Sequence, residues 1–328
     1  MSPLRSDASP MRCAWVGSHR EGLPALEALL DAGADVVAAV TLTADAAARR
    51  SGVADYEPLC SRFGVPLHQV ADINSPAAVT LLRSLDVDVL FVIGWSQILR
   101  PAALETARIG VVGAHASMLP KNRGSAPINW ALIHGEHETG NSLMWLADGM
   151  DTGALIDQTA IAITPFDTCA TLYDQVALTN RDMLVKLWRR LTSGERPGTP
   201  QGDSDETVLP RRRPADGLLD WTARSERVYD FVRALTRPYP GAFGRLGGER
   251  WTVWHAALPP LYHAALAEPG TCLGPVVSPL DEACGQLVAC GQGAVTLLEI
   301  ESSDGRVLKG RELGAANWRG KVWETVND

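Results

Sequence analysis

The apolar positions of the first hundred residues fall into short blocks separated by amphipathic stretches. Residues 11–17 (MRCAWVG) form an apolar run ended by a glycine, and Leu23, Leu26, Leu29 and Leu30 follow at helical spacing. That order predicts a strand, a turn and a helix. The alternation continues with a buried strand at 36–42, a helix at 56–63, a short strand at 65–68 and a helix at 76–85. Residues 87–93 (VDVLFVI) give the clearest strand signal and stop at Gly94, and 110–114 (GVVGA) make a further strand. Strands alternating with helices predict a parallel sheet covered on both faces. In such sheets the ligand site lies beyond the carboxyl ends of the strands.

The pattern then changes. A helix is expected at 127–133, strands at 142–146 and 155–163, and a long helix at 171–191. Residues 192–217 (TSGERPGTPQGDSDETVLPRRRPADG) are poor in apolar residues and rich in Gly, Pro and charge, the composition of a domain linker. Beyond it, a helix at 225–236 precedes RPYPGAF and short apolar runs (RWTVWHAAL, QLVAC, AVTLLEI) divided by glycines, which predict a small β-rich unit. The expected fold is α/β, with a Rossmann-like, doubly wound, mostly parallel sheet in residues 11–205. A smaller barrel-like, OB-type domain is expected at 206–328.

Composition narrows the function classes. With 328 residues, 46% of them hydrophobic, the chain can bury two cores. No apolar run is long enough to span a bilayer, and the opening MSPLRSDASP is polar, so neither a membrane anchor nor a secretory leader is expected. The six cysteines are scattered, without a CxxC pair or zinc-ligand spacing, which predicts a reducing, cytoplasmic setting and no metal. The net charge of −8 argues against a dedicated polyanion binder. From Thr207 onward fourteen Lys and Arg stand against fourteen Asp and Glu, so the excess acid lies in the first part.

The chemically informative stretch is 110–153, GVVGAHASMLPKNRGSAPINWALIHGEHETGNSLMWLADGMDTG. His115 follows a buried strand, at the rim where the sheet would present ligands. Asp151 occupies a glycine-flanked loop, GMDTG, between two strands. An imidazole whose tautomer is set by a carboxylate is a workable general acid/base unit. A histidine after a strand is more often structural, and an Asp-Gly loop is often only turn chemistry. His134 and His137, in HGEH, lack further ligand spacing for a metal. Arg211, Arg212 and Arg213 read as a solvated linker face rather than a phosphate site.

The run HASMLPKNRGSAP resembles the HPSLLPxxRGxxP signature of the 10-formyltetrahydrofolate-dependent formyltransferases, and ETGNSLMWLADGMDTG resembles their ETGxTxxxMDxGxDTG segment. RRRPADGLLDWTARSERVYDFVRALTRPYPGAF is similar to the start of the second domain in methionyl-tRNA and UDP-amino-arabinose formyltransferases, so the resemblance spans nearly the whole chain. It implies an enzyme with 10-formyltetrahydrofolate as cosubstrate, His115 handling the proton of an attacking amine and Asp151 orienting His115. It also implies folate contacts from Gly94, Trp95, Ser96, Gln97 and Ile98 and from Ala147, Asp148, Gly149 and Met150. Ser117 and Asn122 would support the loop or an oxyanion, and Arg123 and Gly124 would line the acceptor.

Two positions depart from the signature. Gly113 stands where the family places an asparagine two residues before the histidine, and Ala116 replaces a proline. The asparagine amide is implied to donate to the formyl oxygen as it becomes an oxyanion, and losing one such donor typically costs about 3 kcal/mol of transition-state stabilisation. Three outcomes follow: a substitute donor (Asn122, Ser117, Gln97 or a water in the vacated volume), a variant reaction, or folate binding without transfer. The neutral second part and the lack of a basic cluster beyond Lys121 and Arg123 disfavour tRNA as acceptor. A small-molecule amine leads, either a nucleotide-linked amino sugar or a specialised metabolite, and assembly as a homo-oligomer is left open.

Overall fold

The computed structural model describes residues 10–202, 208–259 and 267–324. Among these the chain forms two compact units. One holds residues through Pro127 together with Glu138–Ala162 and Leu172–Pro210, and the other holds Ile128–His137, Ile163–Thr171 and the chain from Arg211 onward.

In the first unit, β1 (Arg12–Val16), α1 (Leu23–Asp31), β2 (Asp35–Leu42), α2 (Ala44–Ala47), α3 (Glu57–Phe63), β3 (Leu67–Val70), α4 (Pro76–Ser84), β4 (Val89–Val92), α5 (Pro101–Leu104) and β5 (Gly110–His115) follow the expected alternation. Local chemistry fixes the ends. Ser75 caps α4 by accepting from the Ala78 amide at 3.2 Å, with Pro76 in the first turn, and Gly64 ends α3 in the left-handed region at φ 67°. After α6 (Pro127–Ile133) come β6 (Glu138–Trp145), β7 (Leu155–Ala162) and α7 (Cys169–Thr192). The strand order is β3-β2-β1-β4-β5-β6-β7, parallel through β5 and antiparallel at β6 and β7. The order reverses between β1 and β4, so the carboxyl ends of β1, β4 and β5 define the crevice where such sheets bind ligands.

Both sheet faces are covered. Trp15, Phe91, Leu143 and Trp145 pack with Leu26 and Leu29 of α1, Cys60 of α3 and Leu187 and Trp188 of α7 on one face. Val16, Leu90 and Val111 pack with Val79 and Leu82 of α4 and Ala103 of α5 on the other. β6 begins at Glu138, four residues before the expected strand, because Glu138–Gly140 pair with Ala160–Ala162 of β7 although the ETG run carries no alternation.

The segment after α7, linker-like in composition, is pinned to the first unit. Pro197 O accepts from the Trp145 indole at 2.6 Å, and Thr199 and Leu155 exchange backbone hydrogen bonds of 2.7 and 2.8 Å. Leu209 bridges Gly124.

The second unit carries α8 (Ser225–Leu235) and an antiparallel sheet of β8 (Ala242–Leu246), β9 (Glu249–Ala257), β10 (Cys272–Val276), β11 (Gly285–Ala289), β12 (Ala294–Ser302) and β13 (Val307–Lys309), followed by the short α9 (Gly310–Gly314). The path β10-β11-β12-β9-β8 leaves β10 and β8 at its edges. Residues 322 and 323 bridge them, Val322 to Thr271 and Trp323 to Leu246, so a short terminal segment supplies the barrel-like closure. Arg212 is not a solvated linker residue. Its guanidinium lies 4.9 Å from the Trp130 ring centre and 5.4 Å from that of Phe231, and burial pushes its pKa down. No helix among the described residues is long and apolar enough to cross a membrane.

Candidate active site

β5 ends on His115, which pairs with Ser142 of β6 and is buried. By strand alternation Val111, Gly113 and His115 share one face of the sheet. The ring meets an oxygen at each nitrogen: Nε2 is 2.8 Å from Asn122 O and Nδ1 is 3.5 Å from Asp151 Oδ2. Both oxygens only accept, and the shorter contact, to Asn122 O, favours the neutral tautomer with its proton on Nε2, which leaves the Nδ1 lone pair facing Asp151.

Both loops that meet His115 are held in unusual backbone conformations. Asn122 and Asp151 have φ 58° and 54°, the left-handed region, which few non-glycine residues enter and which Asn and Asp tolerate best. Asp151 is tied on two sides. Its Oδ2 accepts from the Gly124 amide at 2.9 Å, and its backbone O accepts from the Gln201 side-chain amide at 2.7 Å. The loop closes onto β6 at Gly153, where any Cβ would run into the Trp145 carbonyl, so this glycine is required by close backbone approach.

The other expected residues divide. Ser117 is committed to the loop: its hydroxyl donates to Lys121 O at 2.6 Å, and its carbonyl accepts from the Ser142 hydroxyl at 2.6 Å. Gln97 is committed too, accepting from the Ile73 amide at 2.9 Å and donating to Ala71 O at 2.8 Å. Neither side chain is placed to replace the missing asparagine. Asn122 turns its backbone carbonyl to His115 and is buried. Arg123 donates to Gln201 Oε1 from Nη2 at 2.6 Å and from Nε at 3.3 Å, so its guanidinium is built into the site wall.

No vacated volume exists beside Gly113. A Cβ there would lie 2.5 Å from Leu146 Cδ2 and 2.9 Å from Leu146 Cγ, so the Leu146 side chain fills the space. The Leu146 isobutyl group takes the space in which a water could stand in for the asparagine.

The expected folate loops lie at the same edge. Gly94, at φ 64°, follows β4, and its carbonyl accepts from the Ser18 and His19 amides at 3.1 and 3.0 Å. Ile98 O accepts from the Asn74 side chain at 2.9 Å. The buried Trp95 indole nitrogen has no hydrogen-bond partner among the described residues, whereas Ser96 is exposed. Ala147, Asp148, Gly149 and Met150 are all exposed. The exposed backbone of residues 147–150 offers a polar heterocycle both donors and acceptors, and the Trp95 indole nitrogen is a buried donor left without a partner among the described residues.

Two elements escaped the sequence reading. Gln201 lies in a Pro- and Gly-rich run with no periodicity to flag it. His19 and Glu21, in the loop after β1, pair at 3.4 Å beside Gly94, with the His19 ring 5.0 Å from Tyr173 and its carbonyl accepting from the Tyr56 hydroxyl at 2.8 Å. Burial pushes the Tyr56 phenol far up, so it stays a neutral donor. The one cue was position: GSHREG follows the first strand of an alternating sheet. In HGEH, His134 and Glu136 approach only to 3.9 Å, and among the described residues no group of three or more His, Cys, Asp or Glu gathers.

Comparison with known proteins is consistent with this architecture. The chain is similar in structure to HypX from Aquifex aeolicus in complex with tetrahydrofolic acid (TM-score 0.64, 17% identity, 97% of this chain and 50% of that one), so it spans about half of that protein. It is also similar to an N-formyltransferase from Helicobacter canadensis in complex with folinic acid and dTDP-3-aminofucose (TM-score 0.63, 15% identity, 88% and 99%). A third likeness is to methionyl-tRNA formyltransferase from Clostridium thermocellum (TM-score 0.56, 19% identity, 76% and 94%). At these identities the likeness is one of fold. Residues 16–187 match the formyl transferase family model and residues 212–317 match that of the formyl transferase C-terminal domain. With more than half the sequence covered, and with His115 and Asp151 brought together at the carboxyl edge of a doubly wound sheet, the chain belongs to the formyl transferase family.

Proposed function

We propose that this enzyme moves a formyl group from 10-formyltetrahydrofolate to the amine of a small molecule, with a nucleotide-linked amino sugar as the leading acceptor class. Residues 11–205 form the catalytic, folate-binding part in this reading. The observation that carries it is the His115 ring held between Asn122 O and Asp151 Oδ2 at the ligand edge of the sheet. 10-Formyltetrahydrofolate supplies an activated formyl carbon, and the chain supplies a base and a place to hold both partners. With its proton on Nε2, His115 offers the Nδ1 lone pair to the amine as the amine nitrogen attacks that carbon. The ring then becomes doubly protonated, and Asp151 stabilises the cation. The carbon–nitrogen bond to the acceptor forms, the bond to the folate nitrogen breaks, and His115 returns the proton to that leaving nitrogen.

The folate reading of Gly94–Ile98 and Ala147–Met150 is supported by the orphaned Trp95 donor and by the exposure of the second loop. Asn122 is proposed to support the oxyanion from its place beside His115, whose Nε2 meets its backbone oxygen; the Ser117 hydroxyl and the Gln97 amide are bound to backbone. The amino-sugar acceptor is supported by the neutral charge of the chain beyond Thr207 and by the dTDP-3-aminofucose complex of the Helicobacter protein. A second reading, folate binding without transfer, is favoured by Leu146 filling the space beside Gly113.

The test is incubation of the purified protein with 10-formyltetrahydrofolate and a panel of amino-sugar nucleotides, simple amines and tRNA, read by mass spectrometry for the gain of one formyl group. Formylation of a nucleotide-linked amino sugar is the expected result. Formylated tRNA would overturn the acceptor class, and folate binding with no product would establish the second reading.

A further inference from the structure

Asp151 and Asn122 lie on different loops, yet the His115 ring requires both of their oxygens at fixed distances. Beside the hydrogen bond from the Gly124 amide to Asp151 Oδ2, a further side chain joins these loops. Gln201 donates from Nε2 to Asp151 O at 2.7 Å and to Gly153 O at 2.8 Å, while its Oε1 accepts from Arg123, the residue after Asn122. Both ends of the amide are therefore spent, one on each loop, and the carboxamide bridges them as a rigid plane. The segment that carries Gln201 is itself anchored, through Pro197 to Trp145 and Thr199 to Leu155. Asp151 sits in the left-handed region at φ 54°, and the Gln201 hydrogen bond to its carbonyl fixes that turn.

We infer that Gln201 is a positioning residue for the His115–Asp151 pair, clamping the two loops that fix the ring's tautomer and orientation. The inference rests on the transferase reading for its kinetic consequence but not for its structural one. Gln201 touches neither ring atom. It acts on the oxygens that do, and a shift of about 1 Å at a reacting group is enough to cost on the order of a hundredfold in rate. Glutamate at this position keeps the shape and the partner for Arg123 but replaces both donors with a carboxylate facing two carbonyls. It therefore tests the hydrogen bonds separately from the packing.

The experiment compares the full-length wild type with Gln201→Ala, Gln201→Glu, Asp151→Asn and the Gln201→Ala/Asp151→Asn double variant, by transfer kinetics and by ring 15N NMR of His115 without ligands. His115→Gln assigns the signal. The wild-type ring should show one tautomer, with the proton on Nε2, and both Gln201 variants should show the two ring nitrogens averaging. The rate constant kcat should fall about tenfold to a hundredfold with KM within about twofold, and should fall little further when Gln201→Ala is added to Asp151→Asn. Unchanged ring signals in both Gln201 variants, or losses that simply multiply in the double variant, would overturn the inference. If the wild type transfers no formyl group, the transferase reading fails and the ring signals alone decide the role of Gln201.

Discussion

The two loops expected to meet the ligands, one around His115 and one following β4, use their polar groups in opposite ways. Around His115 the polar contacts converge on a single titratable ring: Asn122 O at Nε2, the Asp151 carboxylate near Nδ1, and Gly124 and Gln201 bound to Asp151. In residues 94–98 most of them are spent on the protein itself. Gly94 O, the Gln97 amide and Ile98 O all bind neighbouring backbone or Asn74, and these ties hold the loop as a fixed shelf. The difference separates chemistry from recognition. A proton-transfer group needs its partners aimed at it, whereas a platform for a flat ligand needs only to be rigid and to leave an edge open.

Asp151→Asn should break this contrast most strongly. The amide keeps the volume but removes the negative charge beside Nδ1, and its NH₂ can turn toward the ring. A loss of about a hundredfold or more in kcat is expected, with the folate dissociation constant little changed, as measured by steady-state kinetics and fluorescence titration. Gly113→Asn should come next, and it acts through packing. The new side chain collides with Leu146, so a loss of about 1–3 kcal/mol in chemical denaturation is expected, without a gain in rate. Pairing it with Leu146→Ala should recover most of the stability and give the amide room to act. Gln97→Ala should have the smallest effect. It removes the acceptor of the part-buried Ile73 amide and costs about 1 kcal/mol. It should raise KM for the folate while kcat holds, the reverse of the Asp151 signature.

The contrast also separates what the sequence could reveal from what it could not. His115 and Asp151 are picked out as a pair by the motif resemblance, since a histidine after a strand and an Asp-Gly turn alone read as structural, and the structure brings the two side chains to 3.5 Å. The alternating sheet was legible because each strand is a contiguous apolar run. Leu146 was not, because its meeting with Gly113 depends on how β5 and β6 are registered. Nor was Gln201: a lone amide in a Gly- and Pro-rich run reads as linker until long-range pairing of Thr199 and Leu209 brings that run back to the site. Ser117 and Gln97 were legible as polar residues near the site, but only the structure shows that local backbone already claims their hydrogen bonds. Closure of the second unit by residues 322 and 323 is likewise a tertiary event with no local pattern behind it.

The most direct test of the central claim is the rate of formyl transfer from 10-formyltetrahydrofolate by wild type and His115→Gln, side by side, with circular dichroism and folate binding confirming that both are folded and loaded. Glutamine fills much of the same space but cannot take and return a proton. The account predicts that kcat falls by about 10²–10⁴ while folate binding stays close to that of the wild type. Transfer by His115→Gln at near the wild-type rate would contradict it, and would mean that the ring held between Asn122 and Asp151 is architecture and not the base.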